Sequence, residues 1–377
     1  MRISHRSYQF LVLILVVLPL LATSAAAVLL WKRYVFPLDI VLLISGTVLT
    51  GLGIGIGYHR MLTHEGFQTY PFVRAFFLIL GVMGFMGDPS SWAGIHIKHH
   101  AHSDQDDDPH SPLDGFWHAH LGWIFTSEDE KEVGKYVPHL LKDPVVRFVD
   151  QTTLLWMVIS LLIPYLIGGW TGLLWGGGVR IFLSTHITWS VNSICHCFGS
   201  RPFETTDESR NNWLIGLISY GEGWHNNHHA FPRNAFHGLQ WWQFDLSGLL
   251  IRALEALGLI WNVQRVGKEV IKAQQIRGQT MRESLTRLRE ELSAKVLQAR
   301  REVEMLLKRR LDAAVDPVKL QEVIGACEGA LRRLEQIRNN VTRVEHMRKQ
   351  QLLLYAREVG ELIASLKQRM TPLAMLE

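Results

Sequence analysis

The chain has 377 residues, 47% of them hydrophobic, and a formal net charge of +4 at pH 7. This length allows two or three ordinary domains. The charge is uneven, because residues 1–264 contain 16 Lys and Arg against 20 Asp and Glu, whereas residues 265–377 contain 23 against 15. The odd set of Cys195, Cys197 and Cys327 excludes a disulfide framework and indicates a reduced, cytosol-facing location.

Apolar segments dominate the first half of the chain. A membrane-spanning helix needs about 20 consecutive apolar residues, and four segments meet this requirement: residues 8–30, 40–58, 152–170 and 172–193. Only the fourth contains a charged residue, Arg180. Residues 72–87 are shorter and contain Arg74, so we expect an interfacial or half-buried helix there. The sequence therefore predicts an all-α integral membrane protein with four membrane-spanning helices.

The first apolar segment has an alternative interpretation as a secretory signal, because Ala25-Ala26-Ala27 resembles a cleavage site. The segment is long for a signal and a second one follows after a short loop, so we expect it to stay in the membrane. Four spans place both termini on one side. The basic start at residues 1–6 and the positive-inside tendency assign both termini, and the long segments 59–150 and 194–377, to the cytoplasm.

Three histidine clusters lie just beyond apolar segments: His59-Arg-Met-Leu-Thr-His64, His96-Ile-Lys-His99-His100 and His225-Asn-Asn-His228-His229. Positions i, i+3 and i+4 share one face of an α-helix, so each HxxHH motif offers three imidazoles to one side. His59 and His64 are expected about 140° apart on an ideal helix. A tetrahedral zinc site takes four ligands, so eight imidazoles indicate two metal ions near a membrane surface.

Further ligand candidates lie at the end of the fourth span, where Asn192-Ser-Ile-Cys-His196 adds a ninth histidine and an amide that can act through water. Imidazole suits iron, copper, zinc and nickel, and an unactivated hydrocarbon substrate requires a redox metal. Carboxylates near such a site orient the imidazoles and offset the metal charge. The candidate carboxylates are Asp104, Asp106, Asp107, Asp108 and Glu222. We interpret the other nine histidines as structural or surface residues: His5, His102, His110, His118, His120, His139, His186, His237 and His346.

Four glycines precede His59 at alternate positions: Gly51, Gly53, Gly55 and Gly57. Their spacing is not that of a GxGxxG nucleotide loop. We expect them to permit close packing between helices, and small residues here also leave room for a substrate chain. Trp123 belongs to a set of tryptophans that fit a membrane-interface belt or a channel wall.

The basic segment 265–377 has a different pattern. Apolar residues follow at steps of three and four from Met281 to Leu306, and the pattern resumes from Leu320 through Val344 and Leu352 to Leu366 after an interruption at Asp316-Pro317. This predicts a helical hairpin or coiled-coil extension. A solvated scaffold or homo-oligomerisation element is the favoured interpretation, and docking to anionic headgroups or to an acidic electron carrier is the alternative.

Five motifs occur in a fixed order: His59-RMLT-His64, His96-IKHHAHSDQDDDPHSP, Gly115-FWHAHLGW, Asn192-SICH and Gly221-EGWHNNHHAFP. Residues 1–264 that carry them resemble the membrane fatty acyl desaturases of the stearoyl-CoA or acyl-lipid Δ9 type. The last motif, with its Ala-Phe-Pro ending, is the most specific one. The resemblance covers roughly residues 35–260 and does not include the C-terminal extension.

The resemblance implies a four-span protein whose cytosolic helical cap holds two irons. The iron ligands that it implies are His59, His64, His96, His99, His100, His196, His225, His228 and His229, with Asn192 acting through water. Two electrons and O₂ would remove hydrogens from adjacent methylenes, leaving a cis double bond and water. A buried, bent tunnel would select the carbons that face the iron, because positioning sets regioselectivity.

Several residues beyond the ligands are candidates for roles in this chemistry. Thr47 and Leu43 lie about three and four helical turns before His59, so we expect them to help set the depth of the tunnel. Trp123 is a further candidate substrate contact. Asp104 and Glu222 are candidate carboxylates that orient the iron ligands.

Two acyl carriers are compatible with the sequence, CoA and a glycerolipid. Acyl-CoA members of the family place basic residues before the second histidine motif and after the His-x-Gly-Trp segment. Here those stretches read Gly94-Ile95 and Thr126-Ser-Glu-Asp-Glu130, and acidic side chains repel a phosphate-rich head group. The segments Phe116-Trp117 and Tyr136-Val-Pro are more similar to the cyanobacterial and plant branch, where acyl-lipid substrates occur.

The nearest alternative function is that of a histidine-rich di-iron hydroxylase of a lipid or hydrocarbon, whose chemistry diverges only after the first hydrogen abstraction. A zinc protease or metal transporter is disfavoured, because no HExxH motif occurs and the clusters lie beyond the ends of the spans. The complete ligand set disfavours a non-catalytic scaffold. The sequence carries no haem-binding or flavin motif, so we expect a separate electron donor resembling ferredoxin, rubredoxin or cytochrome b5. We expect no nucleic-acid partner.

Overall fold

The computed structural model describes residues 5–32, 34–126, 130–311, 317–343 and 349–374. The chain forms two compact units, Met1–Gln275 and Ile276–Glu377. The sequence predicted a boundary at residues 264–265. The first unit continues further because the Val266 amide donates to the Asn234 side chain (3.3 Å) and Arg265 binds Glu255.

The first unit is built from α-helices joined by short loops. The helices are α1 (His5–Trp31), α2 (Pro37–Leu52), α3 (Pro71–Met83), α4 (Pro89–His102), α5 (Phe116–His120), α6 (Glu130–Tyr136), α7 (Pro144–Gln151), α8 (Thr153–Gly172), α9 (Arg180–Cys197), α10 (Trp213–Ile218), α11 (His225–Ala230) and α12 (Leu246–Ala256). Two π-helices extend this set, Gly53–Thr63 after α2 and Leu173–Val179 between α8 and α9. Three short 3₁₀ segments are Pro112–Asp114, Gly122–Phe125 and Leu140–Lys142.

Three helical runs are long and apolar enough to cross a membrane: Tyr8–Trp31, Pro37–Thr63 and Thr153–Cys197. Helix α3 is apolar but shorter, as expected for the segment that contains Arg74. The predicted third and fourth spans both lie in the last run, which has 45 residues. Its backbone departs from helical geometry at Gly169, which has φ 61° and ψ −146°, a conformation that glycine adopts readily.

The chain reverses direction at this glycine. A Cβ atom on Gly176 would lie 2.8 Å from Cβ of Pro164, and one on Gly172 would lie 2.3 Å from the Pro164 carbonyl oxygen. A continuous helix would separate residues 164 and 176 by about 18 Å. The run Thr153–Cys197 therefore folds back on itself and forms two antiparallel packed segments.

The first histidine motif lies on the π-helix rather than on an ideal α-helix. Its backbone bonds run from residue i to residue i+5, and the last of them joins the His64 amide to the His59 carbonyl (3.1 Å). Residues five apart are therefore neighbours here, and the two imidazole rings lie 4.8 Å apart. The expected angle of about 140° between them was wrong, because it assumed α-helical geometry.

The glycines before His59 permit close contact on two sides of this helical run. A Cβ atom on Gly53 would lie 2.4 Å from the backbone of α3, and one on Gly57 would lie 2.7 Å from the Phe77 carbonyl oxygen. On the other side, a Cβ atom on Gly51 would lie 2.1 Å from the Tyr220 ring. Close packing of backbones thus fixes the π-helix against α3.

A local cap holds the helix that carries the second histidine motif, and one strand pair holds the loop after the first motif. Helix α4 begins at Pro89, and the Asp88 carboxylate accepts a hydrogen bond from the Ser91 amide (2.9 Å) as its N-cap. Strands β1 (Gln68–Thr69) and β2 (Ile260–Trp261) pair in antiparallel register. They connect the loop after the first motif to the end of α12, beside a shared apolar core.

The second unit contains three helices among its described residues, α13 (Lys268–Leu311, which begins in the first unit), α14 (Pro317–Arg343) and α15 (Lys349–Ala374). The sequence predicted a helical hairpin or coiled-coil extension, and the predicted apolar series after residue 317 is divided between α14 and α15. Val344 lies outside the described residues. The three helices share one core: Leu292, Val296, Ala299, Val303, Cys327, Ala330, Leu334, Ile337, Val341, Leu352, Val359 and Leu366.

We predict that Gly57→Ala lowers the stability of the folded chain by about 1–3 kcal/mol, because the new methyl group meets a backbone oxygen that cannot move aside. Gly134→Ala is the matched control, since its Cβ atom would make an ordinary contact of 3.6 Å with Leu141. Thermal unfolding in detergent measures both variants. Equal midpoints for the two would show that close packing at Gly57 does not support the fold.

Candidate metal centre

The nine predicted histidine ligands converge into two adjacent groups. In the first group, five ligand atoms lie within 4.8 Å of one another, from His59, His64, His96, His100 and His228. We call this group the five-histidine cluster. The π-helix supplies His59 and its C-cap residue is His64, α4 supplies two side chains and α11 supplies one. The Nε2 atom of His228 lies 3.0 Å from that of His59 and 2.9 Å from that of His100.

The second group has the same character with four members. Their ligand atoms also lie within 4.8 Å of one another, from His99, His196, His225 and His229, and we call them the four-histidine cluster. The Nε2 atom of His225 lies 3.0 Å from that of His196 and 3.0 Å from that of His229. The two clusters adjoin, because the rings of His100 and His229 stack with centroids 4.4 Å apart.

Carboxylates orient four of the nine imidazoles from behind. Each accepts a hydrogen bond from an Nδ1 atom, in the pairs His196–Asp104 (3.0 Å), His99–Asp108 (2.9 Å), His229–Asp207 (2.7 Å) and His59–Glu222. A carboxylate only accepts, so Nδ1 carries the proton. In a neutral ring the Nε2 atom then presents its lone pair to the cluster.

These lone pairs require a cation. His225 can donate one proton at most from Nε2, yet this atom faces the lone pairs of both His196 and His229 at 3.0 Å. The buried Nε2 atom of His99 has no hydrogen-bond partner among the described residues. Nitrogens bound to one metal at about 2.1 Å lie about 3 Å apart when their bonds are perpendicular. The donor set therefore fits two transition-metal ions.

Burial favours the neutral form of several of these imidazoles. Loss of solvation, together with neighbouring imidazoles such as His229, holds the pKa of His225 well below 6.5. The same causes lower the pKa values of the clustered histidines on α4 and of His228. Neutral imidazole is the form that binds a metal, so burial prepares the site for metal at neutral pH.

Arg60 provides a fixed positive charge behind the five-histidine cluster. Its guanidinium group is 1% exposed and donates to both Glu222 (2.9 Å) and Asp245 (2.9 and 3.0 Å). Burial raises the pKa of Glu222, but Arg60 and neighbouring imidazoles outweigh this effect and hold that pKa well below its usual range. Glu222 is therefore an anion that accepts from His59.

A mostly apolar cavity of about 60 Å³ ends at the two clusters. His59, His96 and His225 line one end, and Asn192 also belongs to the wall. The cavity reaches into the apolar helices as far as Thr47, with further wall residues Gly51, Ile54, Gly55, Trp92, Ser184, Ile187, Thr188, Val191, Ser219, Tyr220 and Glu222.

The remaining predicted site residues lie elsewhere. Leu43 is not among the residues that line the cavity; it packs with Ala26, Trp175 and Val179. Trp123 is also not in the cavity wall; its ring lies 5.3 Å from that of His110.

Sequence reasoning missed two residues of this site. Asp207, which orients His229, lies in a loop without a motif of its own. His237 was interpreted as an ordinary polar residue, yet it is 1% exposed and lies with His59 and Glu222. Its position eight residues after His229, close to the last motif, was the only available signal.

We predict that Asp207→Asn weakens metal binding by about 10- to 100-fold, because an amide holds the His229 ring less firmly than a carboxylate does. Asp106→Asn is the control, since Asp106 is exposed and was also a candidate. Metal per purified chain, measured by mass spectrometry after competition with a chelator, reports the result. Equal metal retention in the two variants would contradict the role of Asp207.

We predict that the metal-free protein loses stability as the pH falls from 7.5 to 5.5. The unfolded histidines take up protons near pH 6.5, whereas the pKa values of the buried ones lie well below this. The unfolded state therefore binds more protons, and each histidine lowers the unfolding free energy by up to about 1.4 kcal/mol per pH unit. The thermal midpoint of chelator-treated protein measures this. A midpoint that stays constant or rises would contradict burial of neutral imidazoles.

Known proteins share this sequence pattern. A family model described as fatty acid desaturase matches residues 35–253. A hex-5-enoyl-(acyl-carrier protein) acetylenase of Moorena producens is 38% identical over 281 residues, which cover 69% of this chain and 87% of that protein. The sn-1 stearoyl-lipid 9-desaturase of Anabaena variabilis is 42% identical over 221 residues, or 58% of this chain and 81% of that protein. A probable chloroplastic lipid desaturase of Arabidopsis thaliana is 44% identical over 219 residues, or 57% and 61%. The chain belongs to the fatty acid desaturase family.

Proposed function

We propose that this chain is an O₂-dependent desaturase that forms a cis double bond, at the Δ9 position, in a saturated fatty acyl chain. The observation that carries the proposal is the meeting of two histidine clusters with one end of an apolar cavity. An apolar wall holds a hydrocarbon chain, and a dimetal centre at its end reaches the carbons beside it.

Each cluster would hold one iron. The five-histidine cluster supplies His59, His64, His96, His100 and His228, and the four-histidine cluster supplies His99, His196, His225 and His229. Asn192 would act on the iron through water from the cavity wall. The bound irons would supply the activation of O₂ that hydrogen removal from an unactivated methylene requires. An external ferredoxin-like or cytochrome b5-like protein would donate the electrons.

The surrounding residues position the acyl chain and exclude water. Gly51 and Gly55 present no side chain to the cavity, and Ile54, Ile187 and Val191 make its wall apolar. A chain held along this wall presents two adjacent methylenes to the histidine end, and its far end lies near Thr47. Two hydrogens, one O₂, two electrons and two protons give the double bond and two waters.

The proposed membrane topology has four spans. Helix α1 and the run Pro37–Thr63 would each cross once, and the folded-back run Thr153–Cys197 would cross twice. An even number of crossings would put both termini on one side of the membrane, and the basic start at residues 1–6 favours the cytoplasmic side for them and for the histidine clusters. The second unit would remain outside the membrane, and its helices would be available for homo-oligomerisation.

A glycerolipid-bound acyl chain is the favoured substrate, with acyl-CoA as the alternative. The Anabaena relative acts, by its name, on a stearoyl lipid at position 9, and other relatives are named as acyl-CoA Δ5-desaturases. The acidic stretch after Trp123 would repel the phosphates of CoA. Residues 127–129 of that stretch lie outside the described residues.

We predict that expression in a host lacking desaturases produces Δ9 unsaturated chains, and that His228→Ala abolishes the product because the five-histidine cluster loses a ligand. Fatty-acid profiling by mass spectrometry measures the position, chain length and any added oxygen. His139→Ala, an exposed histidine, is the control. Hydroxylated chains in place of alkenes would contradict desaturation, and conversion of stearoyl-CoA without lipid-bound chains would contradict the favoured carrier.

A further inference from the structure

His237 is a buried histidine whose ring has no hydrogen-bond partner among the residues that the structure describes. The residue is 1% exposed, and neither Nδ1 nor Nε2 makes a hydrogen bond within the described part of the chain. Buried polar atoms are almost always paired, so an unpaired ring inside a protein calls for an explanation. The surroundings of His237 supply one.

The backbone of His237 is held on both sides. Its amide donates to the Asp245 carboxylate (2.9 Å), and its carbonyl accepts from the Asn227 side chain (2.8 Å). Asp245 also binds Arg60, which in turn binds Glu222. These contacts fix the backbone position from which the His237 ring extends.

The Nδ1 atom of His237 lies near the Glu222 carboxylate. It lies 3.5 Å from Oε2 of Glu222, the oxygen that already accepts from His59. The other oxygen, Oε1, accepts from Arg60. An oxygen accepts two hydrogen bonds, and a shift of about 0.6 Å would bring His237 to the usual distance of about 2.9 Å.

The other side of the ring faces a metal-ligand candidate. The rings of His237 and His228 lie 4.5 Å apart, centroid to centroid. His228 directs Nε2 into the five-histidine cluster, while its buried Nδ1 atom has no partner among the described residues. A metal-bound imidazole carries its proton on the outer nitrogen and normally donates it.

We propose that His237 is a positioning residue that connects two ligands of the five-histidine cluster: it accepts from Nδ1 of His228 and donates to Glu222, which holds His59. One neutral imidazole satisfies both needs, because it has one acceptor and one donor nitrogen. The inference rests on the proposed metal centre. It assigns the four-histidine cluster no such connection, so its effect is confined to one metal.

Metal-free full chain titrated anaerobically with Fe²⁺ tests this proposal without any substrate. We expect wild type to bind two irons, and His237→Phe to bind one of them about 10- to 100-fold more weakly. The ⁵⁷Fe Mössbauer spectrum should change for one iron environment only. His139→Phe is the matched control, because the His139 side chain is 53% exposed; we expect wild-type binding.

A second variant separates hydrogen bonding from packing. His237→Asn leaves a void but keeps an amide donor near the position of Nδ1, whereas His237→Phe fills the volume and donates nothing. We expect Asn to retain more iron affinity than Phe. The reverse order, or wild-type binding and spectrum in both, would overturn the proposal. If the Phe variant does not fold, His237→Met takes its place.

These outcomes are distinct from those of the functional test. A wild-type chain that binds two irons but forms no double bond would contradict the proposed function alone. A chain that forms the double bond, but whose iron affinity does not change when His237 is substituted, would contradict this inference alone.

Discussion

The convergence of nine imidazole nitrogens is the constraint on which the rest of the first unit depends. Nitrogen lone pairs about 3 Å apart repel one another. The arrangement therefore needs other contacts that hold the rings in place and a bound cation that offsets the repulsion. Carboxylates hold the rings in place through hydrogen bonds to Nδ1, in pairs such as His196–Asp104 and His229–Asp207. Burial contributes as well, because it lowers the pKa of His225 and keeps its ring neutral. The helices therefore serve to deliver these side chains to one place.

The sequence predicted which histidines converge because they occur in short motifs, and it predicted Asp104 and Glu222 because they lie close to those motifs. It could not find Asp207, whose role arises only when its loop folds against α11. His237 was misjudged for the same reason, since its contacts with Glu222 and His59 come from distant parts of the chain. Motif spacing reports local geometry, and orienting contacts are mostly non-local.

Local geometry itself was uncertain where the backbone departed from the α-helix. The π-helix brings His59 and His64 together at a spacing that an α-helix would separate, and its glycines make that conformation compatible with close contact to α3. In the second unit, the spacing of apolar residues predicted helices and a shared core, but this spacing carries no information on where a helix ends. The division into α14 and α15 depends on a connection that the pattern did not mark.

The most direct test of the account is the X-ray absorption of iron in the purified, metal-loaded chain, together with its metal content. The account predicts two irons per chain, each surrounded by nitrogen and oxygen atoms with the multiple scattering of imidazole rings and no sulfur. His228→Ala should reduce the imidazole scattering and the iron content together. A single zinc ion in a tetrahedral shell, or a chain that retains no metal, would contradict the claim that the two histidine clusters form a di-iron centre.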